Sequence, residues 1–343
     1  MREAQFLKQN ADKWKQYEED LKGFDNPDAF ADRFIELTDD LAYARTFYPG
    51  SNTVQYLNGL TARFHQKIYR NKKESKARIW SFWQFELPWM FHRYHRQLLY
   101  SFLFFMAFVG VGVLSAKYDE SFVRLILGDG YVNMTNENIE KGDPFGVYSS
   151  ANSFYMFLRI AFNNIQVAFM MFVSGITAGV LTVVNLMNNG IMLGAFEYYF
   201  FKRGLGADSI LAIFIHGTIE ISVIIVAGCA GLVLGNSLLF PGTFNRMHSL
   251  LNGAKDAAKI TFGLVPFFIL AAFFEGFVTR HYKEMPVALK IFILAASLAL
   301  ILWYFVFYPI YLHRKVEKAR GKQENGSNDN FQLWLNQKLN LES

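Results

Sequence analysis

Residues 211–239, LAIFIHGTIEISVIIVAGCAGLVLGNSLL, decide the architecture. A helix needs about 20 apolar residues to cross the hydrocarbon core of a bilayer. This stretch exceeds that length, and Glu220 is its only acidic or basic residue apart from His216. Working outward, Leu98–Ala116, Ile260–Val278 and Ala288–Tyr308 repeat the pattern, and 154–201 is long enough for two more crossings. The expected fold is all-α: a polytopic membrane helix bundle of about six spans. Asn163-Asn164 and Asn188-Asn189-Gly190 interrupt 154–201. A re-entrant or broken helix therefore fits that segment as well as two full spans do. The second of these clusters reads as a turn between two helices.

Composition agrees. Of 343 residues, 52% are hydrophobic and 36 are Phe, and charge concentrates in 1–96 and 313–343. That is the distribution of a membrane body with water-exposed ends. The net charge of +5 does not point to nucleic acid, because the basic residues crowd beside the spans. The single cysteine, Cys229, excludes an internal disulfide. Met1 to Asp25 is charged throughout, so no secretory signal peptide is expected there.

The N-terminal part reads as a cytoplasmic helical bundle. Phe6, Trp14, Tyr17 and Leu21 recur at helical spacing, and Asn26-Pro27-Asp28 opens a second helix carrying Phe30, Phe34, Ile35, Leu37 and Leu41. Pro49-Gly50-Ser51 ends it, and a third helix runs from about Thr53 to Lys72. Aromatics interleaved with Arg and His then suit a helix lying in the headgroup layer. The expected organisation is 1–78 cytoplasmic domain, 79–97 interfacial helix, 98–312 transmembrane domain and 313–343 basic tail with a short helix at Phe331–Leu341.

Orientation follows from charge. Residues 65–96 hold eight Lys and Arg against Glu74 and Glu86, whereas 117–150 carry six acids against three bases. The positive-inside rule puts both termini in the cytoplasm and the acidic segment outside. Lys202-Arg203 then falls on the outer side, against the rule.

Ionisable groups inside a membrane are costly, so each is a site candidate. His216 and Glu220 stand four apart and share one helical face. Glu275, in Ala271-Ala-Phe-Phe-Glu275-Gly-Phe, is a third buried candidate. These three could be an interhelical polar pairing, a proton path, or the ligands of a metal for which zinc is the natural choice. Asn163, Asn164, Asn188 and Asn189 complete the polar set. Gly175-x-x-x-Gly179, and Gly228, Gly231 and Gly235, form strips that let helices approach closely. No phosphate-binding loop, nucleophile elbow or HExxH motif occurs, so an enzyme is not expected.

The Phe/Pro-rich segment Phe82–Phe91, Ile191-Met-Leu-Gly194, His216-Gly-Thr-Ile-Glu220 with Ala227-Gly228-Cys-Ala-Gly231-Leu, Pro241-Gly242 before Arg246, and Ala271–Thr279 occur in this order. Together they resemble the stage II sporulation protein M family of bacterial integral membrane proteins, over roughly 80–310. The resemblance implies a multi-pass inner-membrane protein of the cell envelope, with His216, Glu220 and Glu275 as a polar core. It further implies a scaffold role toward envelope-remodelling proteins and an association with a MoxR-type ATPase. Membrane lipids, other envelope membrane proteins and a second copy of the chain are the expected partners. The competing reading is a transporter, proton relay or membrane-embedded metal-dependent hydrolase built on those three residues.

Overall fold

The computed structural model describes residues 1–21, 27–68, 76–146 and 152–320. Every regular element among them is helical. The expected helix at Phe331–Leu341 lies outside the described residues. The chain divides into two compact units, Met1–Lys76 and Ala77–Ser343.

The first unit holds α1 (Glu3–Asp20), α2 (Pro27–Phe47) and α3 (Asn52–Ile68). Phe6, Trp14 and Tyr17 of α1 meet Phe30, Leu37 and Leu41 of α2 and Leu57, Leu60 and Phe64 of α3 in one buried cluster. Ile35, which the spacing assigns to the apolar stripe, is exposed. Polar atoms at the edge of this core are paired: Trp14 Nε1 donates to Asp40 Oδ2 at 2.8 Å, and the Tyr17 hydroxyl donates to Glu36.

The second unit begins with α4 (Lys76–Ser81), a wide π-turn over Phe82–Glu86, and α5 (Leu87–Arg93). Leu87, Met90 and Phe91 belong to the main membrane core, while Trp80 is exposed. Then come α6 (His95–Tyr118), the short α7 (Glu120–Leu127) and α8 (Asp129–Glu140), α9 (Ser153–Ser174), α10 (Val180–Phe201) and α11 (Gly206–Leu239). The last stretch holds α12 (Arg246–Gly263), α13 (Val265–Phe273), a second π-turn at Phe274–Val278, α14 (Val287–Leu302), a third π-turn at Trp303–Phe307 and α15 (Tyr308–Arg320).

Five helical stretches are long and apolar enough to cross a membrane: His95–Tyr118, Ser153–Thr177, Gly206–Leu239, Arg246–His281 and Val287–Lys318. The chain is a multi-pass membrane protein. Helix α10 is 22 residues long, about 33 Å at 1.5 Å per residue, and so has a spanning length too. Its three asparagines lower its apolarity.

The break in 154–201 is not where the asparagines suggest. Helix α9 runs unbroken through Asn163-Asn164, and α10 runs unbroken through Asn188-Asn189-Gly190. The reversal lies at 175–179, where a 3₁₀ turn is followed by left-handed Ala178 (φ 55°) and Gly179 (φ 84°). Gly190 serves packing instead: a Cβ there would lie 2.8 Å from the Phe105 carbonyl oxygen, and one on Gly194 only 2.2 Å from that of Val109. Gly190-x-x-x-Gly194 thus presses α10 onto α6.

Helix α11 is the axis of the unit. Two thirds (67%) of its most apolar window is buried, against 17% for α6 and for Val287–Lys318, whose remaining apolar side chains face outward. Gly231 of α11 stands against the Met171 carbonyl of α9 and Thr182 of α10, and Gly235 against the Ala178-Gly179 turn. Hydrogen bonds tie neighbours to the axis, such as Ser101 Oγ to the Ile225 carbonyl at 2.6 Å.

At one end of the unit, Lys202 pairs with Glu120, Arg203 donates to Asn136 Oδ1 at 3.1 Å, and Lys283 Nζ lies 3.0 Å from Asp143. Lys202 and Arg203 are thus both met by side chains of the 117–150 segment. At the opposite end Lys259 meets Glu86 and Arg93 meets Asp256.

Candidate functional site

Three spans bring the site together. His216 and Glu220 project from one face of α11, one helical turn apart. Glu275 comes from the π-turn at Phe274–Val278, whose extra residue rotates the helix and turns this carboxylate toward α11. Gly276 next to it lets the turn lie close on α9, since a Cβ there would stand 3.1 Å from Phe157 Cβ.

One ligand-type atom from each of His216, Glu220 and Glu275 lies within 4.8 Å of the others. His216 Nε2 is 3.8 Å from Glu275 Oε2, with side-chain exposures of 4% and 13%. On its other side, His216 Nδ1 shares a 2.9 Å hydrogen bond with Thr279 Oγ1, and Thr279 is fully buried. Glu220 adjoins Asn164 of α9. The Asn164 side chain is itself buried, with its amide beside that carboxylate.

The cluster forms part of the wall of a cavity of about 460 Å³. Apolar side chains make up most of that wall, among them Phe105 of α6, Met192 and Phe196 of α10, and Ile126 and Leu127 of α7. Two carboxylates and an imidazole in such largely apolar surroundings can share protons or hold a cation between them.

The other polar candidates divide. Asn189 lines the same cavity, with its Nδ2 donating to the Asn185 carbonyl at 2.8 Å. Asn163 and Asn188 are exposed and stand apart from the cluster, Asn163 reaching Asn164 Oδ1 only at 3.4 Å. Gly175, Gly179, Gly228, Gly231 and Gly235 lie where α11 meets α9, α10 and the turn between them, away from the cavity wall. Thr279 is a site residue that the reading of isolated charges passes over. Its position four residues after Glu275 is the signal that could have found it.

Comparison with known families bears on the same residues. The sequence profile of the stage II sporulation protein M family matches residues 101–280, more than half the chain, from within α6 to just past Thr279. The chain belongs to the stage II sporulation protein M family. All three ionisable groups fall inside the matched region. A domain of unknown function (DUF8413) matches residues 4–70, which is the first compact unit nearly end to end. Neither the curated proteins nor the solved structures provide a match.

Proposed function

We propose that this member of the stage II sporulation protein M family is a scaffold of the bacterial inner membrane. It positions cell-envelope remodelling partners and keeps both termini in the cytoplasm. The observation that carries this reading is the two-part construction. A three-helix unit with its own aromatic core precedes a membrane body whose axis is buried in its own helices. Such a unit, with a core of its own, offers a folded surface to a soluble partner, for which a MoxR-type ATPase is the family-based choice. The charge asymmetry of the segments flanking α6 and α15 supports the assigned sidedness.

The test is affinity purification of the tagged full-length chain in mild detergent after in-cell crosslinking, beside a chain lacking residues 1–76. Specific envelope or ATPase partners recovered with the full chain and lost with the shortened one fit the scaffold. Identical and non-specific recovery from both sinks it.

One observation favours a second reading: His216, Glu220 and Glu275 converge on a single cavity. On that reading the membrane unit itself relays protons, transports, or hydrolyses a bond. Normal in-cell function of a variant with all three replaced by Gln or Asn removes it.

A further inference from the structure

We propose that His216, Glu220 and Glu275 bind one divalent transition-metal ion of the zinc class, with a remaining coordination position facing the cavity. This goes beyond the scaffold reading and holds whether or not the protein is catalytic.

The first argument is charge. Two half-buried carboxylates held close together among apolar helices repel each other and lose part of their water. A divalent ion placed between them brings the local sum of −2 and +2 to zero, with the imidazole contributing a neutral nitrogen. The second argument is donor type and distance. One nitrogen and two carboxylate oxygens form a ligand set suited to zinc and its neighbours, and catalytic zinc sites commonly use three protein ligands and leave a fourth position open. Two ligands at about 2.1 Å from a tetrahedral ion lie about 3.4 Å apart. The 3.8 Å between His216 Nε2 and Glu275 Oε2 is near that value. The three ligand atoms all lie within 4.8 Å of one another, moderately wider than that spacing.

The third argument is the surrounding shell. A metal-binding histidine usually donates its other N–H to a fixed acceptor, which sets tautomer and ring orientation. Thr279 Oγ1 occupies that position at 2.9 Å from Nδ1. In the tautomer that donates from Nδ1, the lone pair of Nε2 points at the carboxylates. Asn164, buried on α9, stands beside Glu220, where its side-chain amide can orient the carboxylate by hydrogen bonding. Finally, Glu275 lies in a π-turn, a local cost that recurs at functional sites. The cavity beyond the cluster has room for water and a small ligand at the open position.

The experiment uses the full-length chain in detergent, stripped with chelator and then titrated with zinc. Metal content is read by mass spectrometry, and thermal unfolding is followed with and without zinc. About one zinc per chain is expected for the wild type, with a zinc-dependent rise in Tm. Glu220→Gln and Glu275→Gln should each weaken binding at least about tenfold and abolish the Tm rise, and Thr279→Val should weaken it about 10–100-fold. Glu197→Gln, whose partner is Ser209, should bind as the wild type does. A wild-type stoichiometry far below one overturns the proposal. Equal zinc retention by both Gln variants overturns it as well, by assigning the metal to other histidines. Should the Gln variants fail to fold, the wild-type stoichiometry and Thr279→Val decide. Loss of zinc leaves the partner-recovery result untouched, so the two ideas fail separately.

Discussion

At the scale of single residues, the membrane unit depends on side chains that are missing. A Cβ on Gly194 would meet the Val109 carbonyl oxygen at 2.2 Å, so α6 and α10 would have to separate. Gly194→Ala is expected to destabilise the protein by about 1–3 kcal/mol, as overpacking of a filled core does. Gly110 sits on α6 with nothing within 4 Å of the same position. There Gly110→Ala should be neutral or gain up to about 1 kcal/mol through helix propensity. Thermal unfolding of the pair in one detergent separates the two outcomes. In the N-terminal unit, burial first and then the hydrogen bond to Glu36 push the Tyr17 hydroxyl up to about 12 from an ordinary value of 10. A raised acid pKa means that the unfolded chain gives up its proton first. Stability from this group is complete below pH 10 and drains as pH rises toward 12. Trp14 fluorescence during denaturant unfolding should report that loss, and Tyr17→Phe should flatten it.

At the scale of elements, the π-turns are tied down from outside. The Tyr304 hydroxyl donates to the Trp83 carbonyl at 2.6 Å and that of Tyr308 to the Gln84 carbonyl at 2.9 Å, both acceptors lying in the first π-turn. Trp83 Nε1 in turn donates to the Gly263 carbonyl at 3.1 Å, where α12 gives way to α13. Backbone groups loosened by a π-turn lose regular helix partners, and these side chains supply replacements. Tyr304→Phe should therefore cost about 1 kcal/mol by removing a part-buried hydrogen bond. Exposed Tyr311→Phe should cost little, and the comparison is again one of unfolding midpoints. Elements of this kind mark the limit of what the sequence discloses. Spans such as 211–239 are legible because composition over 20 residues decides them. The reversal at 175–179 is not, because glycine serves both left-handed turns and close packing, and spacing alone cannot separate the uses. Asn188-Asn189 misleads for a related reason: asparagine suits turns in water but is tolerated mid-helix when its amide finds a carbonyl, as Asn189 does on Asn185. Likewise His216 and Glu220 pair on helical spacing, whereas the arrival of Glu275 depends on a π-turn that no periodicity announces.

At the scale of the whole molecule, sidedness is the property most open to test. Cys229 is the single cysteine and is buried, so a Cys229→Ser background removes the native thiol. In that background Glu137→Cys, at an exposed position of α8, should react in intact cells with a membrane-impermeant maleimide. Lys318→Cys, at an exposed position of α15, should react only after permeabilisation. Reversed labelling would invert the topology and with it the place of every partner. The buried axis also has a temporal meaning. Helix α11 contributes His216 and Glu220, and α9, which supplies Asn164, is already made when α11 emerges. Glu275 and Thr279 lie more than fifty residues further along the chain. Until the ribosome has passed them, two ionisable side chains sit in a nascent bundle with one wall missing. Completion of the cluster is thus a late event of biosynthesis, and a chain stalled before α13 would present that unfinished wall to the insertion and quality-control machinery of the membrane.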